Sequence, residues 1–358
     1  MYDDYRNINH FKGLDGLRAL SAFMVISYHI EGEFLQFLDG KSGVSIFFVL
    51  SGYLITTLLI REEQKHGDIS LKAFYIRRTF RIFPIYYVVI GIYCFLIFGI
   101  DIEAFSSKKN ELMEALPYFV FYLSEIVDCG TGTCAGFGHS WTLSVEEKFY
   151  IIWPLIGFVF LAKYPRKRII AIIALSFTIL MTKSLFPEYY LSYYMILVGC
   201  ILAYFLDDKK IYNYIKKIID GFNFYSILIF FIIIHLLKIR YDQLDVIYPI
   251  AVALLIALVV VGNSRITTVL ETGPLKFCGR ISYGIYLVHV LAINAAQFVV
   301  PPARDQFHIY LSVFLLSIAI SVLMAYCLRI FVELPMIARG RSLASRVVRT
   351  RRESFGGR

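Results

Sequence analysis

No stretch of this sequence reads as a large soluble domain, a cleavable signal peptide or a metal-binding cysteine motif. The first apolar run begins late, carries Arg18 and lacks a small-residue cleavage site, so it is expected to stay in the chain as a membrane span. The six cysteines show no CxxC and no Cys/His spacing, which removes the usual zinc patterns. No internal repeat is apparent, which counts against the many transporters built from inverted halves. The net charge of +9 does not lie along one soluble face; the basic residues fall between apolar runs, and a nucleic-acid partner is therefore not expected.

What remains is apolar. Hydrophobic residues make up 58% of 358, above the share of soluble domains. Runs long enough to span a bilayer, or nearly so, recur near 14–31, 43–60, 81–100, 145–162, 169–185, 189–206, 222–238, 246–262, 280–299 and 309–331. They predict an all-α polytopic bundle of about ten transmembrane helices. With both termini cytoplasmic, 26 of the 36 Lys and Arg fall in inside segments and 7 outside, as the positive-inside bias requires. Counting 112–126 as a further span would spoil that separation, so it is read as a re-entrant or interfacial helix within an outer loop, 101–144. This loop holds Cys129-Gly-Thr-Gly-Thr-Cys134, a disulfide candidate on an oxidising face, with two free thiols as the alternative. The Arg-rich tail, 339–358, is expected to be disordered, cytoplasmic and held to anionic lipid.

Several clusters carry candidate chemistry. Arg18 and His29 are eleven residues apart on one apolar run, three helical turns, and so share a face about 16 Å apart. An arginine and a histidine anchored at the two interfaces are the plain alternative. Ser51 and Gly52, in Gly43–Tyr53, read best as small residues that permit close helix packing. Arg77, Arg78 and Arg81 can converge on one helical surface beside Pro84, either as a phosphate clamp or as ordinary positive-inside anchors. In Ser140–Glu147, Ser144 and Glu147 have capping-box spacing, which leaves Glu146 unexplained at the expected depth of His29. Ser282, Tyr286 and His289 fall at i, i+4 and i+7, a polar stripe for interhelical hydrogen bonds or for substrate.

Taken together, GLDGLRAL…YH at 13–29, GVSIFFVLSGYLI at 43–55, FYIRRTFRIFPIYY at 74–87, SWTLSVEEKFYIIWP at 140–154 and ISYGIYLVH at 281–289 resemble the membrane-bound acyltransferase type 3 family, which includes bacterial O-antigen and exopolysaccharide O-acetyltransferases. The resemblance covers nearly the whole chain in order and implies a transmembrane acyltransferase domain over 1–338, in the stand-alone form without a fused hydrolase-like domain. It implies transfer of an acyl group, usually acetyl, from cytoplasmic acyl-CoA to a hydroxyl of an envelope glycan such as lipopolysaccharide O-antigen, in the bacterial inner membrane. Acetyl-CoA is then a co-substrate, and no permanently bound cofactor is expected. The family's first-span arginine and histidine map to Arg18 and His29, and its RxxR arginines to Arg78 and Arg81. Joined to the residue reading, Arg18, Arg77, Arg78 and Arg81 would hold acyl-CoA, His29 would act as base or acyl carrier, and Glu146 would orient its imidazole. The rival class is a transporter or flippase of a glycolipid or small solute.

Overall fold

The computed structural model describes residues 2–8, 10–30, 34–99, 106–127, 134–220, 223–262, 265–301 and 306–356. Among them every long element is a helix. The chain opens with α1 (Tyr2–Asn7), α2 (Leu14–His29), α3 (Gly40–His66), α4 (Leu71–Cys94), α5 (Ser106–Val120) and α6 (Trp141–Leu155). It continues with α7 (Pro165–Thr182), α8 (Leu191–Asp207), α9 (Lys209–Ile219), α10 (Asn223–Lys238) and α11 (Tyr248–Val261). Two short helices, α12 (Arg265–Leu270) and α13 (Gly273–Arg280), lead into α14 (Ser282–Val299), α15 (Phe307–Leu328) and α16 (Leu334–Gly356).

Each of the ten apolar runs is helical, but they are not equal as spans. Among the described residues, six helices are long and apolar enough to cross a bilayer, or seven if α9 and α10, bent by 87°, count as one broken span. The shortfall has a physical origin. α2 has 16 residues, α6 has 15 before it loosens into a π-helical turn at Ile156–Phe160, and α11 is apolar throughout but has 14. These shorter helices are among the most enclosed, so neighbouring helices, rather than lipid, cover much of their surface.

The centre is set by three helices. α3 lies between α2 and α8, and its contact with α8 is so close that backbone nearly meets backbone. A Cβ on Gly52 would stand 1.9 Å from the Ile196 carbonyl oxygen, and one on Gly199 would stand 2.1 Å from the Val49 carbonyl oxygen. Only glycine allows this approach, which bears out the packing reading of Gly52.

Two sequence expectations need correction here. The tail is not disordered where it is described: α16 prolongs α15 through a π turn at Arg329–Glu333 and lies along α4. Gly340 fits against Phe80 and Ala344 is buried, two small residues one turn apart that let the basic helix dock. Ser144 is not a helix cap. α6 starts three residues earlier, and the Ser144 hydroxyl meets that of Ser124 at 2.7 Å. Pro84 lies inside α4, which begins at Leu71 and carries the arginine cluster within the helix. α5 is a 15-residue helix outside the set long and apolar enough to cross a bilayer. Cys134 is disulfide-bonded, whereas Cys129 lies outside the described residues.

Candidate active site

A cavity of about 310 Å³ opens among α2, α3, α4, α6 and α14. Arg18 lines it from α2, Ser51 from α3, Arg78 and Arg81 from α4, Thr142, Glu146, Glu147 and Tyr150 from α6, Ser282 and Tyr286 from α14, and Glu333 from the turn before α16. Arg78 and Arg81 share one face because they are three residues apart. The Arg78 guanidinium lies 4.7 Å from the centre of the Tyr150 ring, which fixes its direction without neutralising it. Among the described residues no carboxylate stands within ion-pairing distance of Arg18, Arg78 or Arg81. The three guanidinium groups face a space that Glu146, Glu147 and Glu333 also line, and groups not locked in ion pairs keep their N–H donors available to oxygen acceptors.

Arg77 does not belong to this group. It is absent from the cavity lining, and its Nη2 donates to Glu62 at 2.7 Å. Arg77 is four residues from Arg81, so the ion pair with Glu62, and not its place on the helix, keeps it out of the cavity lining.

Glu146 also departs from expectation. Its Oε1 accepts from Ser51 Oγ at 2.6 Å and its Oε2 from Tyr150 at 3.2 Å. It therefore does not orient His29. Depth along the bundle was the whole basis of that pairing, and direction around the helix axis sends the carboxylate into the cavity instead.

His29 belongs to a different assembly. Its Nδ1 is 2.9 Å from the Val25 carbonyl, one turn back in α2. A carbonyl can only accept, so Nδ1 carries the hydrogen and Nε2 keeps the lone pair. The His289 ring lies 4.7 Å away, centre to centre, and the His139 ring lies 4.6 Å beyond that. His289 is wholly buried, His139 nearly so, and His29 is exposed. His139 Nε2 faces the Leu287 carbonyl at 3.2 Å and His289 Nδ1 faces the Tyr286 carbonyl at 2.5 Å. Among the described residues no group of His, Cys, Asp and Glu is arranged to hold a metal ion.

Tyr286 joins the two assemblies. It lines the cavity, its ring is 5.6 Å from His139 and 5.5 Å from His289, and its hydroxyl donates to the His139 carbonyl at 3.0 Å while accepting from Thr142 at 2.8 Å. The stripe Ser282, Tyr286, His289 thus runs from the cavity to the imidazoles, as its spacing implies. His139 was not singled out from the sequence. The available signal was its position immediately before the Ser140–Glu147 motif.

These features define a polytopic membrane protein with a cavity lined by arginines and carboxylates at one end of α2 and an imidazole cluster at the other. The chain belongs to the acyltransferase type 3 family, whose acyltransferase domain matches residues 11–326. It is 28% identical to SACOL0978 of Staphylococcus aureus (strain COL), provisionally named an O-acetyltransferase, over 95% of this chain and 59% of the relative. It is 28% identical to YrhL of Bacillus subtilis (strain 168), provisionally named a peptidoglycan O-acetyltransferase, over 97% of this chain and 58% of the relative. It is 29% identical to the O-acetyltransferase OatA of Staphylococcus aureus (strain NCTC 8325 / PS 47), over 92% of this chain and 58% of the relative. The chain therefore spans about three fifths of the length of these relatives. No solved structure matches it.

Proposed function

We propose that this chain is an O-acetyltransferase that moves an acyl group, acetyl first among them, from cytoplasmic acyl-CoA to a hydroxyl of a cell-envelope glycan. The observation that carries the reading is the cavity with three unpartnered guanidinium groups whose wall, Tyr286, touches the imidazole cluster. The CoA phosphates meet Arg18, Arg78 and Arg81, and Arg77 is left out of the donor site because Glu62 holds it. The acyl arm then runs along α2 towards His29. With Nδ1 committed to Val25, the Nε2 lone pair of His29 takes the proton from the acceptor hydroxyl as it attacks the thioester carbonyl. CoA leaves as the thiol. Glu146 holds Ser51 and Tyr150 and so keeps the cavity wall in place.

The membrane is the bacterial inner membrane, with the arginine end of α2 on the cytoplasmic side and the His29 end towards the glycan. The name of YrhL favours a peptidoglycan sugar as acceptor, and O-antigen or exopolysaccharide sugars are the other arms of the test. Purified protein in lipid nanodiscs is incubated with labelled acetyl-CoA and each glycan. Release of CoA with label on one glycan supports the reading, while absence of both CoA release and label transfer from folded protein overturns it.

A further inference from the structure

The cavity holds a carboxyl group that its own walls leave unmet. Of the three glutamates that line it, Glu146 accepts from Ser51 and Tyr150, and Glu333 has Arg329 at 3.9 Å. Glu147 is 7% exposed and, among the described residues, has neither a hydrogen bond nor an ion pair. A carboxyl group buried in this way is costly unless something else meets it. We infer that Glu147 recognises the pantetheine arm of the acyl-CoA donor, accepting a hydrogen bond from the amide N–H nearer the phosphates. The inference deepens the proposed function and rests on the cavity being the donor site.

What meets Glu147 follows from its place on α6. Leu143, Glu147 and Tyr150 fall at i, i+4 and i+7 and line the cavity as one stripe. At one end of the stripe, Tyr150 lies against the Arg78 guanidinium at 4.7 Å. Beyond the other end, Thr142 donates to Tyr286, whose ring neighbours His139 and His289. At about 1.5 Å per residue, Thr142 stands about 12 Å from Tyr150 along the axis, and Glu147 only about 4.5 Å from it. Glu147 therefore lies just under one turn past an arginine assigned to phosphate, on the way to the imidazoles.

The side chains around Glu147 leave it free. Arg78 is directed at the Tyr150 ring, and Lys148, the next residue, is bound to Glu125 and to the Tyr122 carbonyl. Tyr283 gives its hydroxyl hydrogen to the Ile82 carbonyl. A phosphate at this point would be repelled, and a plain alkyl chain would leave the carboxyl group desolvated and unmet. The arm of CoA is uncharged beyond its phosphates, and its two amides carry N–H donors. A hydrogen bond from such an N–H to a carboxylate is stronger than one between neutral groups. The contact also sorts anions, because the arginines can hold many phosphorylated molecules, whereas an acyl phosphate offers no N–H to Glu147.

Isothermal titration of the protein in lipid nanodiscs compares acetyl-CoA with an analogue in which a methylene replaces the N–H of that amide. The parent protein is expected to bind the analogue about 10- to 100-fold more weakly than acetyl-CoA. Glu147→Leu is expected to weaken acetyl-CoA by a similar factor and to bind the two donors within about twofold of each other. Glu147→Gln, whose amide oxygen still accepts, is expected to recover most of the loss. Parent protein that binds both donors within about twofold overturns the inference, whatever the fate of Glu147→Leu, as do losses from the two changes that simply multiply. CoA release from acetyl-CoA is measured alongside. Parent protein that neither binds nor turns over acetyl-CoA defeats the donor-site reading and the inference with it; parent protein that binds and uses acetyl-CoA but does not discriminate against the analogue defeats the inference alone.

Discussion

The two ends of α2 handle polar groups in opposite ways. At the Arg18 end, guanidinium groups line an open cavity and are left without carboxylate partners. At the His29 end, rings are in edge-to-face contact and each is tied by one nitrogen to the main chain. The first arrangement suits binding of a flexible, highly charged molecule, for which unspent charge is the main requirement. The second suits proton transfer, for which fixed direction matters more than charge. A single continuous helix keeps the two at a constant spacing.

The comparison is broken most severely at the histidine end. His29→Gln should abolish acyl transfer, a loss of about 10²–10⁴-fold in kcat, with membrane insertion intact. An amide can still bond the Val25 carbonyl but cannot take the proton. Near-normal glycan acetylation by a well-expressed His29→Gln protein would remove the chemical role from that end.

The arginine end should respond in binding instead. Arg78→Ala or Arg81→Ala should raise the KM for acyl-CoA by a factor equivalent to about 1–3 kcal/mol each, with a smaller effect on acceptor use. Isothermal titration with acetyl-CoA tests this directly, and unchanged affinity in both variants would reduce the cavity to a topological feature.

A charged group outside both assemblies gives a control on stability. Asp39, at the start of α3, accepts from the Ser42 amide at 3.1 Å and from Lys238 at 3.0 Å. Burial acts to raise its pKa, but Ser42 and Lys238 outweigh it, so the carboxyl is held below the ordinary aspartate value. A depressed folded value means the stabilisation is present above the unfolded value of 3.8 and is lost as pH falls through the folded one. Thermal melts of detergent-solubilised protein should therefore show an acid loss of stability that Asp39→Asn diminishes, while its stability at neutral pH falls by about 1–3 kcal/mol. An unchanged acid limb would show that other carboxylates control it.

The smallest effect is expected at Arg77. Arg77→Ala removes one half-exposed ion pair with Glu62, worth about 0–1 kcal/mol, and should leave acyl-CoA affinity within about twofold of the parent. A loss as large as that of Arg78 would place Arg77 in the donor site after all.

Much of this was legible in the sequence because it depends on periodicity. The ten helical runs, the shared face of Arg18 and His29, and the stripe through Ser282, Tyr286 and His289 all follow from counting along one helix. What was missed depends on contacts between helices. His29, His139 and His289 come from three segments more than a hundred residues apart, and no spacing rule joins them. Glu146 was assigned by depth, but two groups at similar depth meet only if their helices also face each other. Arg77 was grouped with Arg81 by four-residue spacing, and an ion pair with Glu62 of α3, a contact between helices, draws it away. The tail looked disordered from its composition, yet Gly340 and Ala344 supply a docking stripe that a count of arginines does not register.

The uninterrupted course of α2 from Leu14 to His29 makes the helix a ruler. On the proposed reading, a donor is measured by whether its thioester reaches the imidazole while its phosphates rest at the arginines. Short thioesters without the nucleotide should still be chemically competent but poorly held. Saturating amounts should recover turnover that no arginine substitution then affects, so the length of the donor, and not the identity of its acyl group alone, sets which thioesters the protein uses in the cell.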